Sequence, residues 1–201
     1  MTTPLYLASQ SPRRRDLLDQ LGIEHVVLAA DDGEDVEALE RRLGGESPRA
    51  YVRRVTRLKV EAAVRRIERR HLPPAPVLAG DTTVAIGSTI LGKPLDADDA
   101  RRTLRLLSGR THCVLTAVAV ARGVRVEEAL SASRVRFGSL SDDDIDAYLA
   151  TPEPFGKAGA YALQGRAAAF VERIAGSHSG IVGLPLYETM RLLRRFGIEP
   201  R

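Results

Sequence analysis

A chain of 201 residues is long enough to bury a sizeable core, as one domain or as two closely joined lobes. At 44% hydrophobic and 28% charged it has a globular composition, and no apolar run approaches the ~18 residues that span a bilayer. The net charge of +4 is scattered along the chain, with no Trp and few other aromatics, which argues against a nucleic-acid stacking platform.

The start, MTTPLYLAS, lacks the basic and apolar regions of a signal peptide. The single cysteine, Cys113, excludes an internal disulfide and fits a reducing cytosol. Within the apolar run CVLTAVAVA it is expected to be a small core residue.

In chain order, PLYLA (4–8) predicts a short buried strand, and Pro12 opens a helix to about Leu21 that Gly22 closes. EHVVLA (24–29) predicts a second strand, followed by an acidic loop with a short helical turn. Ser47 and Pro48 start a long amphipathic helix reaching about Arg70. PVLAGDTTVAIG predicts an apolar strand interrupted by Asp81, Thr82 and Thr83, with GSTILGKP as its hairpin return. Asp96 caps a helix over 97–108 that Gly109 stops. THCVLTAVAVAR and VRVEEALSASRVRF predict two long strands joined near Gly123, and Ser141 caps the helix DDDIDAYLA. TPEPFGKAGAYALQG and GSHSGIVGLP predict glycine-rich loops on either side of the strand AAFVERI, and Pro185 opens a last helix to about Phe196. This order predicts a mixed α/β sheet with glycine-rich loops at its edges, without repeats or a dividing linker.

Two familiar motifs almost fit. GSTILGKP matches the P-loop up to its last position, where Pro94 replaces the hydroxyl that would reach magnesium. GSHSG places His178 where a nucleophile elbow needs serine. The four histidines show no metal-ligand spacing.

Other residues point to anion chemistry. Of thirty basic residues only Lys59, Lys93 and Lys157 are lysine; in a chain that otherwise uses arginine, these mark positions needing a compact ammonium. Lys93 meets phosphate as a point charge or is an exposed hairpin lysine. In SPRRR, Arg13 and Arg14 follow Ser11 and Pro12 at a helix start, where a cation is unfavourable unless an anion joins it. A bound polyphosphate resolves that conflict; a solvated basic turn beside Asp16 is the alternative, and Arg15 lies beyond the loop. Lys59 falls in the stripe of Val52, Val55, Ala62 and Ala63, whereas Arg53, Arg54, Arg57, Arg65 and Arg66 fall mostly off it. An inward ammonium needs an anionic partner, unless it snorkels from the stripe's edge. Asp81, after PVLAG, is placed to hold Mg²⁺, to act as a general base, or to cap a turn. The stretch Asp31, Asp32, Glu34, Asp35 offers a second metal-facing carboxylate or a solvated surface.

Taken together, LASQSPRRRDLL, YVRRVTRLKVEAA, AGDTTV, ILGKP, LSGRTHCVLTAVAV, EPFGKAGAYALQG and GSHSGIVGLPLYET resemble, in order and over nearly the whole chain, the Maf family of nucleoside triphosphate pyrophosphatases. The resemblance implies a single domain over residues 1–201. It also implies a Maf/inosine-triphosphatase-like mixed β-sheet flanked by helices, with two lobes and a central cleft. The implied reaction cuts a nucleoside triphosphate between the α and β phosphates, giving monophosphate and pyrophosphate with Mg²⁺, Mn²⁺ or Co²⁺. Asp81 becomes the catalytic and metal-holding carboxylate, with Glu34 as the second ligand. Lys59, Lys93, Arg13 and Arg14 become phosphate contacts, with Ser9 and Ser11 lining the same loop and Lys157 in a matching segment.

Arg14, Thr82 and Gln164 match the subgroup favouring dTTP and UTP, and the glutamine amide suits a pyrimidine imide edge. Modified uridine nucleotides would enter the same pocket. A cytoplasmic homodimer with a house-cleaning role follows from the same resemblance, without nucleic-acid or membrane partners. The alternatives are a 7-methyl-GTP or inosine triphosphate pyrophosphatase, and a septum-formation regulator acting by binding. Three features depart from the family pattern: Gly156 where Asp is usual, Thr56 where a small apolar residue is usual, and a long 31–46 stretch.

Overall fold

The computed structural model describes residues 5–200, so Pro4 of the first expected strand lies outside the described residues. Seven strands form one mixed sheet: β1 (Leu5–Leu7), β2 (His25–Val27), β3 (Val77–Ile86), β4 (Thr89–Leu91), β5 (Thr111–Arg122), β6 (Arg125–Phe137) and β7 (Val171–Ala175). Their order is β2-β1-β3-β5-β6-β7, with β4 folded back on β3. β1 runs parallel to both β2 and β3, whereas β3–β4 and β6–β7 are antiparallel. Gly123, at φ 58°, supplies the left-handed turn between β5 and β6.

Helix starts follow local chemistry. In α1 (Pro12–Gln20), Pro12 occupies the first turn and Gly22, at φ 66°, ends the helix. In α2 (Pro48–Arg69) the Ser47 hydroxyl accepts from the Ala50 amide at 3.2 Å. Asp96 caps α3 (Ala97–Leu107) by accepting from the Asp99 amide at 2.8 Å, and Ser141 with Asp144 forms a capping box on α4 (Asp142–Leu149).

Four expectations change. β3 runs unbroken through Asp81, Thr82 and Thr83: β1 pairs with it at Val77 and Leu78 and β4 at Val84–Ile86, and β5 is its hydrogen-bonded neighbour on the other side; ladder partners override local polarity. Residues 166–170 form a 3₁₀ turn, so β7 begins only at Val171. GSHSGIVGLP contains α5 (His178–Val182), started by the Ser177 hydroxyl accepting from the Gly180 amide at 3.0 Å. Cys113 is exposed: at the start of β5 the two-residue alternation turns Thr111 and Cys113 outward and His112 and Val114 inward. The last helix, α6, spans Leu186–Arg195 with Pro185 at its cap position.

Two compact units result, one of residues 5–81, 116–131 and 183–200, the other of 82–115 and 132–182. The first has a core of Tyr6, Leu28, Val60, Ala63, Ile67, Val77, Ala79 and Ala119, packing α2 on the sheet. The second has a larger core that includes Leu104, Leu107, Phe137, Ile145, Tyr148 and Tyr161, with edge-to-face ring pairs around Phe137.

Candidate active site

In the first unit, Lys59 is the centre of an ion cluster. α2 buries Val52, Val55, Val60 and Ala63, and Lys59 issues from the same inward side, as its place in the stripe predicts. Its Nζ donates to Asp81 Oδ1 at 2.6 Å and to Glu40 Oε1 at 2.8 Å. Asp81 is only 8% exposed, held in β3. Desolvating two carboxylates and an ammonium contributes little to stability, so their convergence favours a functional reading. Sequence reasoning missed Glu40, which lies at the end of a 3₁₀ turn (Glu37–Glu40) where periodicity carries no signal.

The SPRRR corner contributes the guanidinium of Arg14. Its Nε donates to the Gly183 carbonyl at 2.8 Å and its Nη1 to Ser9 Oγ at 3.1 Å. Burial lowers the Arg14 pKa, opposed by the charges of Asp81 and Glu40 and reinforced by Arg13. Arg14 thus shares its field with the Lys59 cluster. Arg13 is half-buried and its pKa is also lowered by burial. Ser11 donates its amide to Ser9 Oγ at 3.2 Å, but its own hydroxyl does not cap α1. The start of α1 therefore lacks a side-chain cap and carries two desolvated cations, a combination suited to a multiply charged anion. Arg15 is exposed.

Glu34, expected as the second metal ligand beside Asp81, is engaged by arginine. Its oxygens accept from Arg66 Nε at 3.0 Å and Nη2 at 2.7 Å, and from the Asp31 amide at 3.2 Å. Burial disfavours its charge, yet the Arg66 hydrogen bond, the Asp31 amide and the charges of Arg66 and Arg69 together hold its pKa below the usual range. The carboxylate brought to Lys59 and Asp81 is Glu40. Arg66 itself is 4% exposed, against the expectation that it lies off the stripe. It sits seven residues after Lys59, two turns along one face, and also donates to the Leu28 carbonyl at 3.1 Å. Thr56, the departure on α2, is fully buried, and its hydroxyl donates to the Val52 carbonyl at 2.8 Å.

The other expected residues belong to the second unit. Thr82 follows Asp81 along β3 and is half-buried, while Lys93, just after β4, is exposed. Lys157 is half-buried and its Nζ donates to the Glu153 carbonyl at 2.7 Å. Gln164 is exposed in the turn closed by the Gly165 amide on the Ala162 carbonyl. The Glu153 carboxylate accepts from the Arg166 amide and lies close over Gly165, so a larger residue there would displace that carboxylate. Gly156, one of the departures from the family pattern, has φ 69°, a left-handed conformation that glycine adopts without strain.

Among the described residues no three His, Cys, Asp or Glu side chains gather as a metal cage. The Asp81 and Glu40 carboxylates are nevertheless hard oxygen donors on one ammonium, and Mg²⁺ commonly takes one or two carboxylates with substrate phosphates completing its shell.

The mixed sheet with its flanking helices is that of an α/β protein, and the carboxylates, Lys59 and Arg14 of its first unit suit a multiply charged anion. The comparisons are more specific: the model of the Maf-like proteins matches residues 4–196, and the chain belongs to that family. It is 59% identical over 195 residues to the dTTP/UTP pyrophosphatase of Polaromonas sp. (strain JS666), covering 97% of this chain and 96% of that one. It is 59% identical over 199 residues to the dTTP/UTP pyrophosphatase of Cupriavidus metallidurans, covering 99% of this chain and 100% of that one. Among solved structures, the Ham1 protein of Staphylococcus aureus aligns with a TM-score of 0.44 and 12% identity over 67% of this chain and 71% of that one.

Proposed function

We propose that this protein hydrolyses dTTP and UTP to the nucleoside monophosphate and pyrophosphate. The observation that carries the reading is the Lys59 ammonium held between Asp81 and Glu40, within the field of Arg14. The names of relatives at close to 60% identity support the pyrimidine preference.

In this reading water adds across the α–β phosphoanhydride bond, and Asp81 takes its proton as the bond to the leaving pyrophosphate breaks. Lys59, Arg13 and Arg14 neutralise the charge that develops on the phosphate oxygens, with Ser9 and Ser11 shaping the loop. Lys93 and Lys157 serve as further phosphate contacts, and Thr82 and Gln164 address the base. A divalent cation (Mg²⁺, Mn²⁺ or Co²⁺) held by Asp81 and Glu40 would supply charge neutralisation at the phosphates. Glu34, engaged with Arg66, takes a structural role here instead of a metal-binding one. A cytosolic homodimer that removes noncanonical nucleotides is the setting we infer.

Pyrophosphate release across a nucleotide panel with each metal tests this. The expected result is preferential turnover of dTTP and UTP, with Asp81→Asn lowering kcat by at least ~10³-fold. Preference for 7-methyl-GTP or inosine triphosphate would overturn the substrate assignment, and an active Asp81→Asn would overturn the mechanism.

A further inference from the structure

Glu40 reaches Lys59 from the last residue of a short 3₁₀ turn, an element with little rigidity of its own. The last carbonyls of such a turn have no partners within it and need donors from elsewhere. Here the donors come from α2. The Tyr51 hydroxyl donates to the Glu40 carbonyl at 2.9 Å. Arg54 Nη2 donates to the Arg41 carbonyl at 2.9 Å, and Nη1 reaches the Leu39 carbonyl at 3.5 Å. Two side chains one helical turn apart therefore hold three successive carbonyls, with Glu40 in the middle.

The donors are themselves fixed. Glu46 accepts from Arg54 Nε at 2.7 Å and from Nη2 at 2.8 Å, a two-point grip that sets the guanidinium plane. The Arg54 guanidinium also lies 5.6 Å from the centre of the Tyr51 ring. Tyr51 is 8% exposed, and burial followed by the charges of Asp81 and Glu40 pushes its pKa up to about 12, so the hydroxyl stays a donor. Its phenol makes the backbone contact while the ammonium of Lys59, two turns further along α2, meets the Glu40 carboxylate. α2 thus holds Glu40 at both its main chain and its side chain.

We propose that Tyr51 and Arg54, locked by Glu46, are positioning residues that set the Glu40 carboxylate against Lys59 and Asp81. The proposal rests on the reading of that cluster as the hydrolytic site. Loss of one donor leaves the cluster's residues in place but loosens the Glu40 backbone, and small displacements of such groups cost rate more than binding.

The test uses the full chain with dTTP and Mg²⁺, comparing Tyr51→Phe, Arg54→Lys and Glu40→Gln with the parent. Tyr51→Phe and Arg54→Lys are each expected to lower kcat about 10-fold with KM within about two-fold, a split that general destabilisation does not produce. Amide hydrogen exchange of the segment 36–46 is expected to speed up in both variants while the body of α2 keeps its protection. Unchanged exchange in that segment, or kcat within about two-fold of the parent in both variants, overturns the clamp. An inactive Glu40→Gln beside fully active Tyr51→Phe and Arg54→Lys overturns the clamp alone. A fully active Glu40→Gln overturns the reading of the cluster, and with it the clamp's purpose.

Discussion

Lys59 shows why residue type mattered here. A single ammonium contacts two carboxylates from different elements, Asp81 in β3 and Glu40 after the 3₁₀ turn, with one compact charge. A guanidinium is wider and planar, and the scarcity of lysine in an arginine-rich chain singled out this position. His112 is the counterpart in the second unit, a polar residue used for packing. It is 1% exposed, pairs its Nε2 with the Tyr161 hydroxyl at 2.9 Å, and leaves Nδ1 without a hydrogen-bond partner. Burial pushes its pKa down to about 4. The unfolded chain takes up that proton near pH ~6.5, so the stability linked to His112 is complete above that value and lost as pH falls toward 4. The expected loss is on the order of 3 kcal/mol, at 1.36 kcal/mol per pKa unit. Urea unfolding between pH 7 and 4 checks it: His112→Phe should flatten that part of the stability profile, and an unchanged slope would exclude His112 as its source.

At the scale of elements, α2 carries two inward cations with different work. Lys59 joins the ion cluster, while Arg66 ties the acidic loop to the helix through Glu34 and the Leu28 carbonyl. Removing one partner of a buried pair leaves the other charge uncompensated. Glu34→Gln is therefore expected to lower unfolding free energy by about 2 kcal/mol, reduced from the fully buried case because Glu34 is partly exposed. Because the Glu34 pKa is depressed, this stabilisation is present above the carboxyl's unfolded value and disappears as pH drops through the folded one. Pyrophosphate release by Glu34→Gln, measured where the protein remains folded, should stay within about two-fold of the parent. A collapse of activity with an intact fold would return Glu34 to the metal site.

At the scale of the whole molecule, a chain of net charge +4 would attract the proposed nucleoside triphosphate substrate, which carries several negative charges. Long-range attraction of this kind is screened as the Debye length contracts from ~30 Å at 0.01 M salt to ~8 Å at 0.15 M. We expect kcat/KM for dTTP to fall several-fold over that range while kcat holds steady. A salt-independent kcat/KM would show that overall charge plays no part in capture. No helix among the described residues is long and apolar enough to cross a membrane.

Much of the architecture was determined by short-range chemistry and was legible without a fold. Ser47, Asp96 and Ser141 start helices by capping their own amides, and Gly22 and Gly123 turn the chain with positive φ. Helical spacing likewise turned Lys59 inward, and the SPRRR corner marked a cationic helix start. What only the tertiary structure decided depends on partners distant in sequence. Glu40, which carried no local signal, meets Lys59, whereas the carboxylate of Glu34, expected as a metal ligand, is engaged by Arg66, 32 residues away. β3 continues through Asp81 as a strand inside the sheet, with β5 as its hydrogen-bonded neighbour, and Cys113 faces outward because the pleat of β5, not the apolar run, sets its side. A local sequence encodes caps, turns and periodicity through neighbouring atoms; which carboxylate an ammonium meets is settled only when separate elements pack.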